Sequence, residues 1–371
     1  MIRTCGFTHL QPLVSSLWRT VSEDVPMSDR FFSLVLLDAA RRLDMAALVL
    51  QIRQLTAPIG LSVELLRDAQ GAEPAMVGVG GVPLTVIAQA APVPPGTMEQ
   101  AVAASLAWPE SGAAVEAHGA HLIVGCVEQP ADHEQALHFA MVTTFVTAAA
   151  LDVSDGLGVY WASGEMMLSP EGMREAVRAM LSKSLPVEDW VNLMWFRDEM
   201  TGQGQAIGAA TLGARHFFGM EIEFLPAPKP PVDVAQRIFG LVRYLLAHGA
   251  VVKDGDTIGE SETDITRVRF LDRGMFVPGR VLQLAVETRG EEMAMSSPAS
   301  QSFPEASGEP SAAPLAPAPG GPAPDDQEAE EALSPAPAAP ASQYPEAMVA
   351  FPDPAAGTVP RRPVFGRRGR T

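Results

Sequence analysis

Short, wholly apolar runs alternate along this chain with longer stretches that carry an apolar stripe at helical spacing, and the alternation stops near residue 290. FFSLVLLDA (31–39) is continuous and of strand length, the signature of a buried strand. LDMAALVLQIRQL (43–55) places Met45, Leu48, Val49, Ile52 and Leu55 on one helical stripe. LSVELLRD (61–68) returns to strand. MVGVGGVPLTVIAQA (76–90) reads as two strands around Gly80-Gly81, a dipeptide suited to the positive φ angles of a tight hairpin. A helix over 96–108 with Thr97 as N-cap follows, and then a strand or strand pair over 113–128.

The next segments are a helix capped by Asp132, the strand GVYWAS, the short EMML, the helix SPEGMREAVRAMLSK and the strand WVNLMWF. Beyond residue 200, GMEIEF alternates as a half-buried strand, VDVAQRIFGLVRYLLAHG is an amphipathic helix ending at Gly249, and ITRVRFLD and RVLQLAVE are strands. This order predicts an α+β protein with mixed or antiparallel sheets, in which the ferredoxin-like plan β-α-β-β-α-β occurs twice and shares a strand. The expected units are a leader over 1–27, an α+β unit over 28–128, a second over 113–290 packed on the first, and a tail over 291–371. Met27 directly precedes the first patterned segment, so the leader is read as disordered or untranslated.

Composition separates tail from body. From Glu291 to Thr371 the chain has sixteen of its 33 prolines and only twelve large apolar residues. Ordering a residue costs about 1–2 kcal/mol of backbone entropy, which so few buriable side chains cannot offset, so the Pro/Ala-rich tail is expected to be a disordered tether. Charge follows the same division. Residues 1–290 carry 33 acidic and 21 basic side chains, and the tail 11 and 5, within a net charge of −18. An acidic body disfavours nucleic acid, whose affinity comes from Lys and Arg displacing counterions. The two cysteines, Cys5 and Cys126, form no disulfide framework or metal motif, no secretory signal is legible, and no run is read as inserting into a membrane. A cytoplasmic protein without cofactor or metal is the expectation.

The motifs that invite chemistry have simpler readings. In DHEQALH, His133 and His138 stand five apart, about 140° around a helix, so the two cannot share a zinc ion as in HExxH. In AHGAH, His118 and His121 would point to opposite faces of a continuous strand and could share a metal only if Gly119 broke it. KDGDTIGES lacks the calcium-loop series and reads as a turn at Asp254-Gly255, and LDVSDGLG reads as a turn whose Asp152, Ser154 and Asp155 satisfy local backbone. GQGQAIGAATLG matches no phosphate loop and suggests flexibility. In GVYWASGEMMLSP, Ser163 lacks a nucleophile elbow's G-x-S-x-G context. Ser163-Gly164 reads as a turn, with Ser169 as N-cap and Pro170 at the first helical position. The alternative is a small polar pocket made by Tyr160, Ser163 and Glu165 with His121 from a neighbouring strand.

AHGAHLIVGCVE, LGVYWASGEMMLSP, FGMEIEF and LLAHGAVVKDGDTIG occur in an order that resembles the bacterial domain-of-unknown-function family numbered 4261, over roughly 28–287. The resemblance implies no activity. At the other end, VPRRPVFGRRGRT sets Phe365 among Arg361, Arg362, Arg367, Arg368 and Arg370. Its composition reads either as a solubilising basic end or as a docking peptide, Phe365 filling a pocket while the arginines meet an acidic surface, in cis or on a protein partner. The expected function is therefore a cytoplasmic accessory or interaction protein with a non-catalytic body and a tethered docking peptide. A hydrolase using His121, Tyr160, Ser163 and Glu165 is the alternative.

Overall fold

The computed structural model describes residues 31–69, 74–197, 206–261 and 264–287; the leader, the tail and the docking peptide expected at its end lie outside them. The first sheet is built from β1 (Phe32–Leu37), β2 (Val63–Arg67), β3 (Ala75–Val79), β4 (Val82–Gln89), β5 (Ala120–Cys126), β6 (Gly158–Trp161) and β7 (Met166–Leu168). Its helices are α1 (Met45–Thr56), α2 (Glu99–Ala103), α3 (Ser111–Ala117), α4 (His133–Val153) and α5 (Pro170–Leu181). After α6 (Val187–Trp190), the second sheet takes β8 (Asn192–Arg197), β9 (Ile207–Leu212), β10 (Glu221–Ala227), β11 (Thr257–Ser261), β12 (Asp264–Leu271) and β13 (Val281–Val286), with α7 (Arg215–Phe218) and α8 (Pro231–His248).

The first sheet is antiparallel throughout, in the order β2-β3-β4-β5-β1-β6-β7. The second, β11-β12-β13-β10-β9-β8, is mixed, because β10 and β13 pair in parallel. The class is α+β, but the connections are not those of the expected ferredoxin-like units. In a ferredoxin-like unit the first strand lies between the third and the last, whereas here β5 lies between β4 and β1, and the other neighbour of β1 is β6. The Gly80-Gly81 turn, with φ of 57° and 84°, adds a third strand after α1, and β8 leaves for the other sheet. A repeat is nevertheless present. Both β1-α1-β2-β3-β4 and β10-α8-β11-β12-β13 run strand, helix, three-stranded meander. In the second, the last strand returns beside the first; in the first, β5 is inserted between them.

One apolar core reaches both sheets, and α4 runs through it with thirteen buried side chains from Ala136 to Leu151. By length and composition α4 could cross a membrane, but 72% of its apolar window is buried inside the fold, so its hydrophobicity is used internally. Buried threonines tie it to its surroundings. Thr147 bonds Ser33 of β1 at 2.7 Å, Thr144 accepts from the Trp190 indole at 2.9 Å, and Thr143 meets Cys126 of β5 at 3.2 Å. Asp132 caps the helix as expected, accepting from the Gln135 amide. Asp132→Ala should cost about 1 kcal/mol in urea unfolding; an unchanged midpoint would remove the cap from the account.

Several local expectations are corrected. The helix over 96–108 shrinks to α2; its N-cap is Met98 and not Thr97, and Glu99 at its first position accepts from the amides of Gly96 and Met98. Residues 111–117 form α3 and not a strand. Gly119 then lets the chain pass Asp38, whose carbonyl would lie 2.7 Å from a Cβ there. The glycine-rich IGAATL is not a flexible segment but the internal strand β9, where Phe196 and the Phe224 carbonyl occupy the space of a Cβ on Gly208. Asp152 bonds Gln51 and Arg174 side chains and not local backbone.

Candidate functional site

His121 opens β5, opposite Leu36 of β1 and Gln89 of β4. β1 and β4 both run antiparallel to β5, so their C-terminal ends converge over its start. There they leave an open cleft of about 260 Å³. Arg41, Arg42, Gln89 and His121 are its polar lining, with Leu37 and Ala88 among its apolar walls. The His121 Nδ1–H donates to the Ala91 carbonyl at 2.9 Å, which makes Nε2 an acceptor in the neutral ring. Burial holds the imidazole pKa below its ordinary value, opposed by the Ala91 bond, so the ring is neutral at pH 7. His118 is not a second ligand. As C-cap of α3 it donates from Nδ1 to Val115 and accepts the Val93 amide at 2.8 Å. The two histidines of AHGAH thus clasp the segment 91–93. Among the described residues no three His, Cys, Asp or Glu side chains gather as metal ligands.

Tyr160, Ser163 and Glu165 are brought together in one elbow, but His121 stands apart from them. Tyr160 is opposite Leu34 and His121 opposite Leu36, on the same sheet face but two strands and two residues away, about 12 Å between Cα atoms. None of the three elbow residues lines the His121 cleft. Tyr160 packs with Leu34, Met98, Ile123 and Met167, and burial raises its phenol pKa, with a further push from Glu165. Its strand neighbours Val159 and Trp161 face the main core, so both faces of β6 are covered. Ser163 and Gly164 lie on a 3-10 turn, and Glu165 closes it in the left-handed region at φ 48°, ψ 50°.

This elbow is where the two sheets meet backbone to backbone. A Cβ on Gly164 would lie 2.7 Å from the Trp190 carbonyl, and one on Gly213 would lie 2.9 Å from the carbonyls of Ser163 and Trp190. The Glu165 carbonyl accepts from Asn192 of β8. Burial raises the Glu165 carboxyl pKa, and the positive charge of Arg215 pulls it back. Arg215 also lies 3.9 Å from Glu221, a buried carboxylate that accepts from Thr211 Oγ1 at 2.7 Å and from the Gly213 and Ala214 amides at 2.9 and 3.0 Å. Burial is the largest influence on Glu221 and raises its pKa despite those donors. Glu223, two residues on, accepts from the amides of Met275, Phe276 and Val277 and holds that loop against β10. These carboxylates satisfy buried N–H groups, which otherwise cost about 1–3 kcal/mol each.

The other motifs have separate partners. His138 bonds the Gly80 carbonyl at 3.0 Å, while His133 packs beside Gly249, so the pair does not converge. Asp254 accepts the Phe270 amide, and Gly255 turns at φ 82°. Phe365, Arg361, Arg362, Arg367 and Arg368 lie outside the described residues. Arg41, Arg42 and Gln89 were not singled out by motif; the signal available for them was an Arg-Arg pair directly after a buried strand in an acidic chain.

Residues 210–285 match a family model described as "Domain of unknown function (DUF4261)", so the likeness to that family is shown for this part of the chain. The match takes in β10 through α8 to β12, most of β13, and the turn VKDGDTIG, whereas the elbow and AHGAH lie before it. No curated protein and no solved structure matches the chain.

Proposed function

We propose that this chain acts by binding and not by catalysis: an accessory protein whose α+β body is a scaffold and whose C-terminal peptide docks on a protein partner. The observation that carries this reading is the use made of the polar elbow. Gly164 and Gly213 bring backbone against backbone there, and Arg215 serves the half-buried Glu165 and the buried Glu221, so the groups that resemble a catalytic set are engaged in joining two sheets. Support for the docking arm comes from the sequence, in which Phe365 sits among five arginines at the end of an otherwise acidic chain. Such a peptide gains affinity from one buried aromatic anchor and from charge, and its tether raises local concentration.

The test is capture of partners by the full chain, by a chain lacking its last fifteen residues, and by Phe365→Ala. Loss of the same partner from both variants, restored at low salt for Phe365→Ala alone, is the expected result. Identical partners in all three would remove the arm from the proposal.

A further inference from the structure

Cleft lining and charge together single out one surface that the docking proposal does not use. The described body is acidic in sum, yet the charged side chains lining the cleft at the start of β5 are Arg41 and Arg42. Arg41 is partly neutralised, bonding Asp38 and lying 3.9 Å from Asp155. Arg42 has no carboxylate partner among the described residues. Asp38 and Asp155 offset Arg41, so the cation left to meet an anion at this lining is Arg42, and guanidinium geometry suits a carboxylate or phosphate oxygen pair.

The remaining polar groups set what else the occupant carries. With its Nδ1–H given to Ala91, the neutral His121 ring offers only an Nε2 lone pair, which requires a donor from the ligand, such as a hydroxyl. Gln89, directly across the strand pair from His121, can donate or accept beside it. Leu37 and Ala88 provide a short apolar wall. The volume of about 260 Å³ lies at or below the small end of ligand pockets, which suits a compact metabolite and excludes a dinucleotide.

We infer that the cleft formed by Arg41, Arg42, Gln89 and His121 is a binding site for a small hydroxylated oxyanion, a hydroxy-carboxylate or a phosphate ester. Arg42 is the charge contact, Arg41 a second guanidinium held in place by Asp38, and His121 the acceptor for the ligand hydroxyl. The lining residues all fall between Leu37 and His121 in the chain, so a chain lacking its last fifteen residues is expected to bind the anion unchanged, and the two proposals fail independently.

Ligand-observed NMR and calorimetry on the full chain would use three probes: glycerol 3-phosphate, lactate and inorganic phosphate. The expected result is a Kd of roughly 1 mM or tighter for glycerol 3-phosphate or lactate, the range in which single charged contacts with one or two hydrogen bonds fall. Arg42→Ala should weaken that binding about tenfold or more. Arg42→Lys, which keeps the charge but not the paired donors, should weaken it less than Arg42→Ala. His121→Gln should weaken the hydroxylated probe several-fold and inorganic phosphate much less. Arg42 is exposed, so its variants keep the parent circular dichroism and unfolding midpoint. Preference for glycerol 3-phosphate over lactate would assign a phosphate ester, and the reverse a hydroxy-carboxylate. Absence of binding by both hydroxylated probes, or equal binding by wild type and Arg42→Ala, would overturn the inference.

Discussion

Gly164→Ala should abolish or severely weaken folding, because the added methyl would sit 2.7 Å from the Trp190 carbonyl oxygen and 3.3 Å from the Trp161 ring. A flexible side chain could swing aside, but a carbonyl in a packed turn moves only with its backbone. That backbone is fixed from several directions. Trp190 donates to Thr144 of the central helix, Asn192 donates to Glu165, and Gly213 presses on Ser163 from the second sheet. Overpacking of this kind costs roughly 3 kcal/mol or more, a large part of the usual margin of 5–15 kcal/mol. Gly240→Ala provides the contrast. It lies inside α8 with nothing within 4 Å of its Cβ position, so alanine should be neutral or stabilise by about 0.5–1 kcal/mol. Urea unfolding of the two variants beside the parent measures the difference. A Gly164→Ala midpoint equal to the parent's would show that the elbow yields, and the interlock would lose its place in the fold.

Asp189→Asn should stabilise the protein above neutral pH and flatten its dependence on pH. Asp189 belongs to α6, wedged between α5 and α8, and burial pushes its pKa from 3.8 up to about 7, with Glu188 and Glu175 adding like-charge repulsion. Both neighbours are themselves paired, Glu188 with Arg243 and Glu175 with Arg178, so neither cation is spent on Asp189. The folded state therefore holds a proton that the unfolded state releases near pH 4, and stability follows the difference in bound protons. It is greatest below the unfolded pKa, falls as pH rises from about 4 to about 7, and levels off above the folded pKa. The loss is on the order of 4 kcal/mol, since the rise spans about three pKa units and each is worth about 1.4 kcal/mol. Asparagine removes the ionisation and should recover most of that at pH 8 while changing little at pH 4. Unfolding free energies at pH 4, 6 and 8 would measure this; parallel curves for parent and variant would mean that Asp189 is solvated when folded.

Much of the site chemistry was legible because caps and turns are local. Ser169 and Asp132 cap the helices that follow them, Gly80-Gly81 makes the hairpin, and Gly249 ends α8, each through bonds within a few residues. The elbow was readable as a turn for the same reason. What it turns against was not, since Trp190 and Gly213 are respectively 26 and 49 residues from Gly164 in the chain. The missed strand β9 shows the complementary difficulty. Its alanines and glycine have weak strand preference, and they fit because Phe196 and Phe224 fill the space that larger residues would need.

The amino-acid order by itself determined the α+β class, most strands and helices, and the inability of His133 and His138 to share a metal, because periodicity and angular spacing act within one element. The tertiary structure alone decided that β5 enters between β4 and β1, that β8 joins the second sheet, and that His121 parts from Tyr160 to face two arginines. Those outcomes depend on which apolar faces bury each other across long stretches of chain, and local preference carries no record of that choice.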